Sequence, residues 1–146
     1  MSSDPKLDNL LCFALYSATH AFGRVYKPLL DDLGLTYPQY LAMLVLWEQD
    51  DQTVGSLGQR LSLESNTLTP LLKRLEAMGH VQRSRDPADE RQVRIRLTPQ
   101  GRALQEKGNA VPACLARTIG LDVEDVRRMM RDIGTLRKAL DAAAPR

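Results

Sequence analysis

The feature that most constrains the fold is the stretch from residue 53 to residue 98, where two short helical patterns precede two strand patterns. Apolar residues recur at helical spacing over residues 54–61 and again over residues 68–75. Residues 62–65 interrupt this spacing, and Ser65 has a side chain that is preferred at a helix N-cap. Gly79 is expected to end the second helix as the first residue beyond its C-cap. The stretch therefore predicts a helix-turn-helix.

Two strand patterns follow the second helix, over residues 81–85 and 92–97, and a charged segment separates them. In the later strand, Val93, Ile95 and Leu97 alternate with Arg94 and Arg96, which is the pattern of a strand with one buried face. The two strands are predicted to form a hairpin with a charged tip. Together with the helices before it, this hairpin predicts a winged helix-turn-helix.

A long amphipathic helix is predicted ahead of this stretch, over residues 8–33. Pro28 should kink or loosen its last turn, because proline lacks the N–H that a helix interior needs. Thr36 and Gln39 form the pattern of a capping box at the start of a second helix, which is apolar nearly all round and runs to about residue 49. That second helix is therefore expected to lie at the centre of the core.

Helices are also predicted after the wing. Thr98 and Pro99 should cap and begin one that Pro112 breaks or bends, and Asp122 should cap a last amphipathic helix. The fold class expected is mainly α with a small β-hairpin wing. We interpret the 146 residues as one domain, in which residues 36–98 form the winged helix-turn-helix and residues 1–35 and 99–146 form dimerisation helices.

The charge distribution favours a nucleic-acid partner. Residues 73–102 carry eight Lys or Arg and four acids, so this window has a net charge of +4, whereas the whole chain has +2. A basic patch on a winged hairpin is typical of a surface that contacts phosphate. A merely solvated, charged hairpin is the alternative. The candidate DNA-contacting residues from the second helix and the strand are Ser65, Asn66, Thr67, Thr69, Lys73 and Arg94.

Other features exclude several classes of protein. The polar N-terminus lacks the layout of a signal peptide, and the longest apolar run is too short to span a membrane, so we expect a cytoplasmic protein with no membrane partner. The two histidines are isolated from the cysteines, and no Ser/His/Asp set is present. The sequence therefore predicts no metal, no cofactor and no hydrolase site. Two cysteines in a reducing compartment are either inert core residues or redox-active ones.

The arrangement of long helices at the chain ends with a winged helix-turn-helix between them resembles the MarR superfamily, and several blocks between residues 10 and 102 resemble its organic-hydroperoxide-resistance regulators. Each block alone is a weak signal, but they occur together and in the same order. The blocks are Leu11-Cys12-Phe13-Ala14-Leu15-Tyr16, Tyr26-Lys27-Pro28-Leu29-Leu30, Leu35-Thr36-Tyr37-Pro38-Gln39-Tyr40-Leu41, Leu46-Trp47-Glu48, the residues from Thr67 to Glu76, and Asp89-Glu90-Arg91.

This resemblance implies a homodimeric repressor that binds a palindromic, A·T-rich operator and responds to organic hydroperoxides. It implies that Cys12 is the reactive thiol and that Tyr26 and Tyr37 of the partner subunit hydrogen-bond its thiolate. Cys114 lies where some members carry a resolving cysteine, which implies the two-cysteine subclass and an intersubunit disulfide.

At the wing tip the same resemblance implies a minor-groove contact by Arg91, with Asp89 orienting it.

Near the thiol, no Lys or Arg lies within one helical turn of Cys12, so hydroxyl donors must stabilise a thiolate there. Tyr16, four residues on, is a further candidate donor besides the two tyrosines named above. Oxidation would give a sulfenic acid, which a second thiol captures as a disulfide.

Two other functions remain open at this point. A regulator of the same family could be released by a reversible small-molecule ligand, with Cys12 and Cys114 as incidental residues. An enzyme, a thiol peroxidase built on Cys12, is the other, although no Arg or acid stands near the thiol to activate a leaving group. The cysteines could also be small buried hydrophobic residues, which is the usual environment of a free cysteine.

Overall fold

The computed structural model describes residues 4–145, and its elements follow the predicted order with two additions, a strand and a 3-10 helix. The strand has two residues and lies ahead of the helix-turn-helix. A short 3-10 helix, Leu7–Asn9, precedes the first α-helix. The elements are α1 Leu11–Asp31, α2 Tyr37–Glu48, β1 Gln52–Thr53, α3 Val54–Leu61, α4 Ser65–Ala77, β2 Val81–Arg85, β3 Val93–Leu97, α5 Pro99–Ala103, α6 Gln105–Ile119 and α7 Val123–Ala143.

The wing is a three-stranded antiparallel sheet rather than a plain hairpin. The strand order is β1-β3-β2, so β3 lies in the middle. In the register, Gln52 lies opposite Ile95, and Val81 lies opposite Leu97. The short β1 joins the wing to the start of α3, which ties the hairpin to the helix-turn-helix.

Helix caps explain most of the observed boundaries. The capping box of Thr36 and Gln39 is present, and Thr98 and Asp122 cap α5 and α7 as predicted. Gly79 follows α4 at a φ of 88°, a left-handed conformation that glycine adopts without strain. The prediction for Ser65 was wrong, because Glu64 is the N-cap residue and Ser65 is the first residue of α4.

The start of the first helix was also predicted too early. The chain forms the 3-10 turn at Leu7–Asn9, is extended at Leu10, and begins α1 only at Leu11. Pro28 lies inside α1, which continues to Asp31. As a consequence, Cys12 occupies the first turn of α1 instead of its second.

Helix α6 passes through Pro112, where the sequence predicts a break or bend. Proline at this position has no N–H for the Gly108 carbonyl one turn earlier. The Tyr40 hydroxyl donates to that carbonyl at 2.8 Å instead, so the carbonyl keeps a partner. The interruption occurs at Leu104, between α5 and α6, where the Trp47 indole N–H donates to the Gly101 carbonyl at 3.0 Å.

Helix α2 is the centre of the core, as its apolar sequence predicts. Most of its residues are buried, and the side chains of Tyr40 and Trp47 face the segment that contains α5 and the first part of α6. A side chain at Gly108 would overlap the Trp47 ring, and one at Gly101 would overlap the His80 carbonyl. Neither position therefore has room for a Cβ, which explains the glycine at both.

The chain divides after Pro112 into two compact units. The first contains the winged helix-turn-helix together with α1 and α2, and the second contains the end of α6 and all of α7. Within residues 4–145, no helix is both long and apolar enough to span a membrane.

Candidate DNA-reading surface and redox residues

The first turns of α4 present polar side chains to solvent. Ser65, Asn66 and Thr67 are exposed and Thr69 is half-buried, whereas Leu68, Leu72 and Leu75 on the opposite face are buried. Lys73 is exposed one turn farther along. This arrangement follows from the helical spacing of the leucines and leaves small hydrogen-bonding groups free to meet a nucleic acid.

The start of α4 and the wing tip border one shared depression. Its volume is about 330 Å³, and its lining includes Ser65 and Thr69 from α4 and Arg91 from the wing, with Thr53 and Gly55 from the start of α3. The fold thus brings together residues that the sequence separates by more than twenty positions. Three of the predicted DNA contacts consequently lie on one continuous surface.

Arg91 extends from the wing tip with 92% of its side chain exposed. The Asp89 carboxylate accepts hydrogen bonds at 3.1 Å from both the Nε and the backbone N–H of Arg91. The predicted orienting contact between these two residues is therefore present. It directs the guanidinium without burying it, which leaves the positive charge available to a phosphate or a narrow groove.

Arg94 differs from the outward-facing side chain that its strand pattern predicts. Its Nε donates to Asp51 Oδ1 at 2.8 Å, one terminal nitrogen donates to Asp86 Oδ2 at 3.0 Å, and the other donates to the Asp51 carbonyl at 2.8 Å. Only 27% of the side chain is exposed. Arg94 is therefore enclosed between the loop after α2 and the turn of the wing, and its guanidinium is already occupied by two carboxylates.

Acidic residues in the loop after α2 complete this arrangement, and the sequence reading did not identify them. Asp51 also pairs with Arg96 at 3.1 Å, and the neighbouring Asp50 accepts from Arg102 at 2.7 Å. The hydrogen bond from Arg94 is the main reason that the pKa of the Asp51 carboxyl is lowered. The signal that could have revealed them is the Asp-Asp pair itself, placed directly before a short strand that pairs with the arginine-rich β3.

Cys12 is exposed at the second position of α1. Four residues on, Tyr16 is also exposed, and its ring packs edge-on against His20 with a centroid distance of 4.4 Å. The first turn of a helix has backbone N–H groups without intrahelical partners. Cys12 is thus accessible to a small reactant, and it lies in the first helical turn, where the sequence, with its earlier helix start, did not place it.

Tyr26 and Tyr37 form an aromatic pair between the end of α1 and the start of α2. Their ring centroids are 4.7 Å apart. They line a cavity of about 270 Å³ together with Gly23, Lys27 and Thr36, among others. Burial raises the pKa of both phenols, so at neutral pH each remains a protonated hydroxyl that can donate a hydrogen bond.

The tyrosine pair is far from Cys12 of the same chain. Cys12 and Tyr26 lie on one continuous helix, and fourteen residues at about 1.5 Å each separate them by roughly 21 Å along its axis. Tyr37 packs against Tyr26 in a tilted arrangement and so lies at the same end of α1. The two phenols can therefore reach a Cys12 only if that cysteine belongs to another copy of the chain.

Cys114 lies in α6, two residues after Pro112, and is half-buried. The Arg117 guanidinium donates to its sulfur at 3.2 Å. Both cysteines are free thiols.

Comparisons with known proteins agree with this geometry. A family model described as transcriptional regulator SarA/Rot matches residues 24–107. The HTH-type transcriptional regulator TtmR of Methylorubrum extorquens (strain PA1) is 51% identical over 142 residues, which are 97% of this chain and 73% of the relative. The organic hydroperoxide resistance transcriptional regulator of Bacillus subtilis (strain 168) is 44% identical over 135 residues, which are 92% of each protein.

Solved structures add a DNA-bound relative. Reduced AbfR bound to DNA is similar with a TM-score of 0.78 at 39% identity, over 92% of this chain and 93% of that one. AbfR comes from Staphylococcus epidermidis, and its disulfide form is similar with a TM-score of 0.63 at 40% identity, over 94% and 91% of the two chains. Like these relatives, the chain is a DNA-binding transcriptional regulator and not an enzyme. Its winged helix and its relatives together establish that it belongs to the MarR family of winged-helix transcriptional regulators.

Proposed function

We propose that this chain is a repressor that releases its operator when an organic hydroperoxide oxidises Cys12. The observation that carries the proposal is the exposed Cys12 thiol in the first turn of α1. Two comparisons support it: a relative at 44% identity is named for organic hydroperoxide resistance, and AbfR has been solved in reduced, overoxidised and disulfide forms. The peroxide thus acts as the inducer, and the protein requires no cofactor.

The chemistry has two steps. In the first, the Cys12 thiolate sulfur attacks the terminal oxygen of the hydroperoxide, the O–O bond breaks, and the alcohol leaves with a proton. Cys12 is oxidised to a sulfenic acid and the hydroperoxide is reduced. In the second, the Cys114 thiol attacks the Cys12 sulfur, a disulfide forms, and the sulfenic oxygen leaves as water.

A homodimer assembles the sensor. The partner subunit's Tyr26 and Tyr37 donate hydrogen bonds to the Cys12 thiolate, because the same chain's tyrosines are roughly 21 Å away along α1. Tyr16, one turn from Cys12 on the same helix, is the third donor. Burial raises the pKa of Tyr26 and Tyr37 and so keeps both protonated, which is the form that stabilises an anion beside them.

Exposed apolar side chains supply the surface for this dimer. Val123, Met130 and Leu140 of α7 are 62%, 68% and 58% exposed, and Leu11 at the start of α1 is 60% exposed. Covering such side chains with a second copy removes apolar area from water, which stabilises association. A two-fold dimer also places two α4 helices about 34 Å apart, the spacing at which they read a palindrome.

The switch follows from disulfide geometry. A disulfide requires its two Cα atoms to lie within about 7 Å of each other. Formation of the bridge between Cys12 of one subunit and Cys114 of the other draws the dimerisation helices together. The two α4 helices then lose the spacing that fits successive major grooves, and the operator dissociates. A reducing cytoplasm restores the thiols.

On DNA, we assign the major-groove contacts to the start of α4. Ser65, Asn66, Thr67 and Thr69 meet base edges, and Lys73 meets a phosphate. Arg91, oriented by Asp89, enters the adjacent minor groove, which is narrow and strongly negative at A·T tracts. An A·T-rich palindrome is therefore the operator that this arrangement fits best.

The cavity of about 270 Å³ between α1 and α2 favours one alternative. A reversible ligand could bind there, between the tyrosine pair and Lys27, and release the operator without cysteine chemistry. Release of the operator by peroxide depends on Cys12, whereas release by a ligand does not. The alternative therefore predicts that replacing both cysteines leaves induction unchanged.

The test uses a duplex selected by the wild-type protein from a randomised pool. Binding is followed by fluorescence anisotropy before and after one equivalent of cumene hydroperoxide per thiol, with non-reducing mass analysis of the same samples. The wild type should release the duplex and form a covalent dimer. Cys12→Ser should keep the duplex, and Cys114→Ser should form a sulfenic acid without the covalent dimer.

The two substitutions serve as controls for each other, because they remove one thiol each from different helices. Peroxide-induced release by Cys12→Ser would refute the sensor assignment. A covalent dimer in Cys114→Ser would refute only the resolving role of Cys114. A wild-type protein that keeps the duplex after peroxide treatment would favour the ligand-controlled alternative.

A further inference from the structure

We propose that Asp51 and Asp86 hold Arg94 as a positioning residue, which fixes the direction in which the wing presents Arg91 to DNA. Arg94 in this assignment does not contact phosphate. It connects β3 to the loop after α2 on one side and to the turn of the wing on the other. The three residues are named here the wing clamp.

The geometry of the wing clamp is that of a fork held on both sides. Asp51 engages Arg94 through its carboxylate and its backbone carbonyl, each at 2.8 Å, and Asp86 engages the remaining terminal nitrogen at 3.0 Å. Every nitrogen of the guanidinium therefore has an acceptor. This arrangement requires arginine, because the flat guanidinium donates in several directions within its plane, whereas a lysine ammonium is a single compact charge.

Both acidic residues are fixed by the backbone. Asp51 has a φ of 58°, a left-handed conformation in which its carbonyl and its carboxylate both point towards Arg94. The Asp86 carboxylate also accepts from the Ala88 N–H at 2.8 Å, and the Asp86 N–H donates to the Gln92 carbonyl at 2.9 Å. Asp86 thereby joins the clamp to the turn that carries Arg91.

The two arginines of the wing consequently have different roles: Arg94 holds the hairpin in place, and Arg91 contacts DNA. The side chain of Arg94 is 27% exposed and faces two carboxylates, whereas that of Arg91 is 92% exposed. Only a cation that replaces counterions on phosphate contributes to the salt dependence of binding. Arg94 and Arg91 should therefore both affect affinity, but only Arg91 should affect the salt dependence.

The experiment measures affinity for the selected duplex over a series of salt concentrations. The variants are Arg94→Gln, Arg94→Lys and Asp51→Asn, with Arg91→Ala as the matched control on the same hairpin. We expect each clamp variant to bind about tenfold more weakly with the salt slope unchanged. Arg91→Ala should also bind more weakly, but with a slope reduced by about one per subunit.

Arg94→Lys is the deciding variant, because it keeps the charge and removes the fork. Wild-type affinity of Arg94→Lys, or a slope reduced by about one per subunit in Arg94→Gln, would overturn the proposal. Hydrogen exchange provides a second readout that does not depend on DNA. Amides of residues 85–93 should exchange faster in all three clamp variants, whereas those of α4 should exchange at the wild-type rate. Wild-type exchange rates in residues 85–93 would also overturn the proposal.

Asp51→Asn guards against a variant that simply fails to fold, since the substitution is isosteric and 44% of the Asp51 side chain is exposed. All binding is measured at a temperature where circular dichroism shows each variant folded. A role in stability alone would lower the melting temperature and leave the affinity of the folded protein unchanged, which would again overturn the proposal.

Discussion

Replacing Tyr40 by phenylalanine should destabilise the protein by leaving a buried carbonyl without a donor. The Tyr40 hydroxyl donates to the Gly108 carbonyl at 2.8 Å, and the residue that would normally donate, Pro112, has no N–H. A buried acceptor without a partner costs about 1–3 kcal/mol. We expect the free energy of unfolding to fall by about 2 kcal/mol, or Tm by roughly 4–8 °C for a chain of this size. Phenylalanine keeps the ring contact with Trp47, so the lost hydrogen bond is the main change.

The measurement is urea and thermal unfolding at a fixed protein concentration, because Tm of the proposed dimer would depend on concentration. The matched control repeats the substitution in a Pro112→Ala background, where the alanine that replaces the proline supplies the missing helical N–H. There Tyr40→Phe should cost less than about 0.5 kcal/mol, so a coupling energy of about 1.5 kcal/mol should separate the two backgrounds. Equal losses in both backgrounds would refute this account of how α6 tolerates proline.

Three further predictions concern stability. Gly108→Ala should lower Tm, because overlap with the adjacent indole costs about 1–3 kcal/mol against a helix-propensity gain of about 1 kcal/mol. His80 is buried and its pKa is lowered by burial, so below about pH 6.5 the unfolded chain binds a proton that the folded chain resists. The urea midpoint should therefore fall from about pH 7 to pH 5, and His80→Gln should flatten this dependence while the exposed-site control His20→Gln should not. Thr98→Val should cost about 1–2 kcal/mol in a urea titration, because the hydroxyl both caps α5 and donates to a backbone carbonyl, and Thr98→Ser should cost much less.

Local patterns in the sequence were sufficient to predict most elements of the fold. The strand Val81–Arg85, the capping box at Thr36 and the glycine that ends α4 each depend on a few neighbouring residues, and all three are confirmed. The errors arise where distant residues decide the outcome. Nothing near Pro112 in the sequence shows that Tyr40 will satisfy the freed carbonyl, and α6 continues through the residue at which the sequence predicts a break or bend.

In the candidate sites too, features that depend on neighbouring residues were predicted, and features that depend on distant residues were not. The polar face of α4 follows from helical spacing, and the contact between Asp89 and Arg91 follows from their proximity in sequence. The environment of Arg94 depends on Asp51, 43 residues earlier, which the alternation of β3 could not reveal. The roles of Cys12 and Cys114 remain predictions, because they depend on a second subunit and on redox chemistry.

Helix α2 connects the tyrosine pair of the proposed sensor to the loop that holds the wing. It begins at Tyr37, within the aromatic pair, and ends two residues before the Asp50-Asp51 loop that holds the base of the wing. Its twelve residues span about 18 Å and are packed on nearly every side, so the helix tilts or shifts as one piece. The aromatic pair and the loop that holds Arg94 are therefore attached to opposite ends of a single buried helix.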